Sequence, residues 1–214
     1  MAKTVIIMGT LNTKENEGQY IRKQIERFGH DTVFIDISLR RSQPKLKNGD
    51  IPNAAVAEAA GASIEEIEKL ERMPAINVVV KGATRIIKDL YKNKKVDGII
   101  GFGGSMGESI SALIEKTLPV NIPKALVTTT LKLAADSVGP KNICIFPTLT
   151  DMNGKINKIN AITLAHAASA IAGMVNSLPE IPEDKKIIAA TQYGNTTPHI
   201  EVAKEVLESK GYDF

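Results

Sequence analysis

Asp97-Gly98-Ile99-Ile100-Gly101-Phe102-Gly103-Gly104-Ser105-Met106-Gly107 is the stretch on which the fold turns. A strand at 97–101, apolar after Asp97, enters a glycine-rich turn, and a helical pattern continues to about Lys116. A parallel strand covered on both faces reads as such an unbroken apolar run. Glycine lets a backbone come close to a ligand or a neighbouring element, and the helix beyond it presents the positive end of its dipole.

The same unit recurs outward in both directions. Upstream, Val5-Ile6-Ile7-Met8 stops at Gly9, and a helix over 13–28 carries Tyr20, Ile21, Ile25 and Phe28 at helical spacing before Gly29. A strand at 32–37 follows, with Asp36 near its end. Residues 39–52, with Pro44, Gly49 and Pro52, read as an exposed excursion. Helices are expected over 54–60, 64–70 and 75–91, the second opened by a Ser63/Glu66 capping box. Downstream come strands at 123–127, closed by Thr128-Thr129-Thr130, and at 143–146, then an alanine-rich helix over 156–174. With the strands at 4–8 and 97–101, this alternation predicts an α/β fold: a doubly wound, mostly parallel, Rossmann-like sheet. Its connections should be right-handed, and its ligands should lie beyond the carboxyl ends of the strands.

That domain is expected to occupy residues 1–178. A proline-containing acidic linker, 179–185, leads to a strand at 186–190 and a helix at 198–210. One strand and one helix cannot bury a core alone, so 186–214 reads as the first βα unit of a truncated second α/β domain.

Of the 214 residues, 43% are hydrophobic, which supports a packed core rather than disorder. The 27 basic and 24 acidic residues leave a net charge of only +3. With 4% aromatics and no Trp, the chain lacks the basic, aromatic face that nucleic acid requires. Cys144 is the single cysteine, so no internal disulfide forms, and a reducing, cytoplasmic setting is expected. Its apolar neighbours predict a buried strand residue. Met1-Ala2-Lys3-Thr4-Val5 enters the first strand directly, so neither a signal peptide nor a membrane span of about 20 apolar residues is expected.

Three loops carry the candidate chemistry. The first is Gly9, Thr10, Leu11, Asn12, Thr13 and Lys14, whose amides, hydroxyls and ammonium suit phosphate. GxxxxGK[ST] is absent there, so a plain turn at Gly9 with Thr13 as helix cap is an equal reading. The second is Gly103, Gly104, Ser105, Met106 and Gly107. Met106 stands where GxGxxG requires glycine, and Glu108 would repel phosphate unless it turned away or held a cation. The third contributes Thr128 and Thr129. Asp36 or Ser38 could meet a ribose. Gly103, Ser105 and Gly107 also fit GxSxG, which keeps a serine nucleophile open. His30, expected to be exposed, His166, expected to pack in its helix, and His199 have no metal-ligand spacing. Asp151-Met152-Asn153-Gly154 reads as an Asx turn capping the long helix.

Four segments together resemble the Tm-one-like ATP-binding family, named for a tomato protein that restrains tobamovirus replication. They are Gly9-Thr10-Leu11-Asn12-Thr13-Lys14, then 97–105, then Pro123-Lys124-Ala125-Leu126-Val127-Thr128-Thr129, and 165–174. The resemblance implies two α/β domains, ATP near the glycine-rich loops, and oligomers. Mg²⁺ could accompany the nucleotide. Asn12 and Asn142 stand where the family has Asp, and Met106 and Glu108 interrupt its Gly-Gly-Ser-Gly-Gly-Thr. The lost carboxylates favour binding over turnover. The rival readings are a small-molecule hydrolase or transferase using Ser105 or a carboxylate, and a structural subunit whose partner supplies the second domain. A homodimer or higher homo-oligomer is expected, burying the alanine-rich helix or the carboxyl-terminal unit between chains.

Overall fold

The computed structural model describes residues 2–177 and 185–214; most of the linker expected at 179–185 lies outside the described residues. The chain divides into two compact units, residues 1–177 and 178–214.

In the first unit the elements run β1 (Thr4–Gly9), α1 (Leu11–Arg27), β2 (Asp31–Asp36), α2 (Asn53–Ala60), α3 (Ile64–Glu68), α4 (Arg72–Lys92), β3 (Gly98–Gly103), α5 (Ser105–Glu115), β4 (Lys124–Thr128), α6 (Leu131–Val138), β5 (Cys144–Pro147) and α7 (Lys158–Asn176). The five strands form one parallel sheet in the order β2-β1-β3-β4-β5. This is the Rossmann-like α/β sheet expected. Helix α6 was not expected; it is a short connection whose Ala134 and Val138 pack with Ala112, Leu126 and Ile143.

Side-chain alternation along each strand sorts the core into two layers. Val5 and Ile7 join Phe34, Ile100, Phe102 and Val127 beneath α1 and α7. Ile6 and Met8 join Ile35, Ile99, Ile110 and Val79 beneath α2, α4 and α5. Each fully buried Ile or Val stabilises the fold by about 1.5–3 kcal/mol, which anchors the strand ends where the loops emerge.

Several local expectations are corrected. Cys144 is exposed, because β5 is the edge strand and lacks a covering neighbour there. His30 is buried: its ring accepts from the Lys3 amide at 3.4 Å and lies 3.2 Å from the Ala172 carbonyl oxygen. His166 is exposed on α7, whose sheet-facing stripe is Leu164, Ala167, Ala168, Ile171 and Ala172. The cap of α7 is an Asn157/Asn160 capping box rather than the turn at 151–154. The excursion at 39–52 is mostly exposed, as expected, but its end pairs with β2: the Ile51 amide donates to the Phe34 carbonyl and its carbonyl accepts from the Asp36 amide. Buried Arg22 and Asp50 pair at 2.5 Å beneath it, with the guanidinium 3.8 Å from the Phe34 ring centre.

Helix α7 has a mean hydropathy of 1.2 and the length of a membrane span, contrary to expectation, yet its sheet-facing stripe is packed against protein.

In the second unit α8 (Thr197–Ser209) follows a 3₁₀ turn at Gly194–Thr196. The strand expected at 186–190 is reduced to one bridge between Ile187 and Asp213, and no described residue of this unit is buried.

Candidate functional site

From β1 the chain moves outward to β2, then returns to the other side of β1 for β3. The two loops that diverge at this switch point follow β1 and β3, and such a divergence opens the crevice in which parallel sheets bind ligands. Register places Gly9 beside Asp36 and Phe102, and Gly103 beside Thr128, so all four strand ends lie in one row.

The first loop is occupied from within. Asp36 Oδ1 accepts from the Leu11 amide at 3.2 Å and from the Ser38 amide at 3.0 Å; the Ser38 hydroxyl lies 2.5 Å away and the Ser42 hydroxyl donates to Oδ2. The Ser38 hydroxyl also accepts from the Asn12 amide, and the Thr13 and Lys14 amides donate to the Thr10 carbonyl. The positive end of α1 therefore already holds a carboxylate. Asp36 and Ser38 are fully buried, which removes them from the surface where a ribose could lie. Burial raises the Asp36 carboxyl above its ordinary 3.8, the surrounding donors only partly opposing this. Gly9 serves packing: a methyl there would overlap the Phe102 ring. Leu11 is buried in the core. Lys14 breaks the helical backbone with φ −132° and ψ 30°.

The second loop is open. The first helical bond of α5 runs from the Glu108 amide to the Gly104 carbonyl at 2.9 Å, leaving the Ser105, Met106 and Gly107 amides outside the helical ladder. No side chain caps this end. A Cβ at Gly104 would meet nothing nearer than Thr129 Oγ1 at 3.6 Å. Gly103 and Gly107 do a different job: a Cβ on Gly103 would lie 2.9 Å from Gly107 Cα, so glycine here lets α5 seat directly on β3. Thr10 comes to the same place, with its Cγ2 3.5 Å and Oγ1 3.6 Å from where a Gly107 Cβ would be.

Glu108 turns away from the opening. It is fully buried, accepts from the Thr130 hydroxyl at 3.2 Å and faces the Ser137 side chain. Burial raises its carboxyl above the ordinary 4.5, which lessens the repulsion of an anion at α5. Thr128 is buried too, its hydroxyl accepting from the Thr130 amide at 2.9 Å, whereas Thr129 is partly exposed.

The sequence-predicted residues thus separate. Thr10, Gly104, Ser105, Met106, Gly107 and Thr129 gather around the start of α5. Gly9, Leu11, Asp36, Ser38 and Thr128 belong to the interior that holds it. Ser105 lacks the left-handed backbone of a nucleophile elbow, since Lys94 is the only described non-glycine residue with positive φ. His30 sits at the opposite, amino-terminal end of the strands, and His166 lies on α7, across the sheet from α5. Among the described residues no group of three or more His, Cys, Asp or Glu is placed to hold a metal. A cleft of about 490 Å³ opens beside Asn12 and Met106, lined also by Arg40 and Arg72. Neither arginine carried a sequence signal beyond its charge.

The family model described as "Uncharacterised protein family (UPF0261) N-terminal domain" matches residues 3–180. A UPF0261 protein of Clostridium tetani is 39% identical over 219 residues, covering 100% of this chain and 53% of that protein. A second, from Rhizobium meliloti, is 31% identical across 97% of this chain and 51% of its own length. The ToMV susceptible protein tm-1(GCR26) of Solanum lycopersicum is 26% identical across 98% of this chain and 30% of its own. The chain spans about half the length of the two bacterial relatives. The resemblance carried by the four sequence motifs holds, and the chain belongs to the uncharacterised protein family UPF0261, matching its N-terminal domain.

Proposed function

We propose that this domain binds a nucleotide, with ATP the first candidate from the family resemblance, and that the phosphates sit on the amino-terminal end of α5. The observation that carries this reading is the start of α5 itself. Three amides lie outside the helical ladder, and the one glycine whose Cβ would fill the space above them, Gly104, has no packing reason to be glycine. Helix N-termini of this kind attract phosphate through their free N–H groups and the helix dipole. Thr129, partly exposed, supplies a hydroxyl at one side, and the buried Thr10 packs against Gly107 at the other. Lys14 adds a cation from the neighbouring loop. Mg²⁺ would arrive on the phosphates rather than in a protein cage.

The test is calorimetric titration of ATP, with and without Mg²⁺, into the wild type and Gly104→Val. The variant should weaken ATP at least tenfold while leaving the melting temperature within about 2 °C, because a Cβ at this position meets nothing nearer than Thr129 Oγ1 at 3.6 Å. Equal affinity in both proteins would reject the phosphate site.

A catalytic reading would need Glu108, buried in the first turn of α5 with its pKa raised by burial, to turn out toward the bound phosphates. If Glu108 transfers a proton, Glu108→Gln should abolish ATP turnover and leave ATP binding intact.

A further inference from the structure

The cleft of about 490 Å³ beside the α5 site falls in the size range of small-molecule pockets. Its apolar lining comes from Leu39, Ile67, Ala75 and Met106, and its charge from Arg40, Arg72 and Glu68. Glu68 accepts from the Arg41 amide at 2.8 Å and lies 3.8 Å from the Arg41 Nε, sharing that guanidinium with Glu65. Arg40 and Arg72 are both exposed, and neither makes an ion pair among the described residues. Two guanidinium groups without ion pairs therefore line one partly apolar cleft, against the single carboxylate of Glu68. Guanidinium matches carboxylate in a fork of two parallel hydrogen bonds, which a neutral base or sugar cannot reproduce.

We infer that this cleft is a second anion subsite, built for a small organic acid with an apolar body. The carboxylate lies with Arg40 and Arg72, and the body rests on Leu39, Ile67, Ala75 and Met106. The inference goes beyond nucleotide binding and does not rest on it. Asn12 and Met106 line the cleft from the two loops of the switch point, so an acid there sits next to whatever occupies the end of α5.

The experiment follows the six methionine methyl groups by NMR in ¹³C-methyl-labelled full chain. The probes are 3-methylbutanoate, its neutral amide and acetate. The acid should shift the Met106 methyl, assigned through Met106→Leu, with at least tenfold tighter binding than either the amide or acetate. Arg40→Ala/Arg72→Ala should lose that binding at least tenfold, and Lys92→Ala, elsewhere on α4, should keep it. Both arginines are exposed and without ion pairs, so the double variant should keep the wild-type melting temperature; single variants serve if it does not fold. Equal binding of acid and amide, or undiminished binding in the double variant, overturns the inference. ATP that competes with the acid and shifts Met106 in its place also overturns it, by making the cleft the nucleotide's own pocket. ATP that fails to bind while the acid still does rejects the nucleotide reading and leaves this one standing.

Discussion

Gly9 and Gly104 look alike in sequence, each ending a strand before a helix, and do opposite work. Gly9 makes room for Phe102, which also closes on Gly18. Gly9→Ala should therefore cost about 1–3 kcal/mol, the range for overpacking a dense core, and Gly9→Ala/Phe102→Leu should recover part of it. Urea unfolding measures both; a Gly9→Ala variant as stable as wild type would sink the packing role. Glu115 shows the opposite failure of local reading. It is fully buried behind Gly101, and burial lifts its carboxyl well above the ordinary 4.5 despite the Gly101 backbone and Lys124 nearby. Above pH 4.5 the unfolded chain releases a proton that the native state retains. Glu115 therefore lowers stability progressively as pH rises from 4.5 toward the raised native value. Glu115→Gln should match wild type near pH 4 and exceed it at pH 8; parallel stability curves across that range would contradict this. Lys124, whose pKa burial lowers from 10.5, also feels the Glu115 charge, so its own titration should be checked in the variant.

At the scale of elements, the strands were legible because each is a continuous apolar run, and the helices because their apolar residues recur at helical spacing. What escaped was the short helix α6 and the chain between elements. Residues 39–52 are polar and carry two prolines, so their composition reads as solvent-facing. Yet Asp50 accepts from the Phe34 and Lys47 amides and pairs with Arg22 beneath them. Asp50→Ala would strand the buried Arg22 charge, and we expect a loss of about 3–5 kcal/mol by chemical denaturation, far above the usual value of a surface ion pair. A loss below about 1 kcal/mol would show that water reaches Arg22. Asn157→Ala removes the α7 cap, where Asn157 Oδ1 accepts from the Ile159 and Asn160 amides at 2.9 Å, and should cost about 1 kcal/mol.

At the scale of the whole molecule, apolar surface is left uncovered. On α7 the residues away from the sheet include Ile159 and Ile162, 46% and 50% exposed. In the second unit Ile187 and Val202 are 78% and 62% exposed. We expect a homodimer that covers one of these surfaces, and light scattering that gives a monomer at micromolar concentration would reject it. A chain of residues 1–177 should remain folded, since its core is its own; if it is still dimeric, α7 makes the contact. By itself the sequence determined the strands and, α6 excepted, the helices of the sheet domain, their alternation and hence the α/β class, because hydrophobic periodicity is a local property. It also placed glycine-rich loops at strand ends. Only the tertiary structure decided which of those loops is open. Asp36 reaches the Leu11 amide across 25 residues, and Thr130 reaches Glu108 across 22. Those pairings depend on β2 lying beside β1 and β4 beside β3, a nonlocal choice that fills the start of α1 with a carboxylate and leaves the start of α5 free.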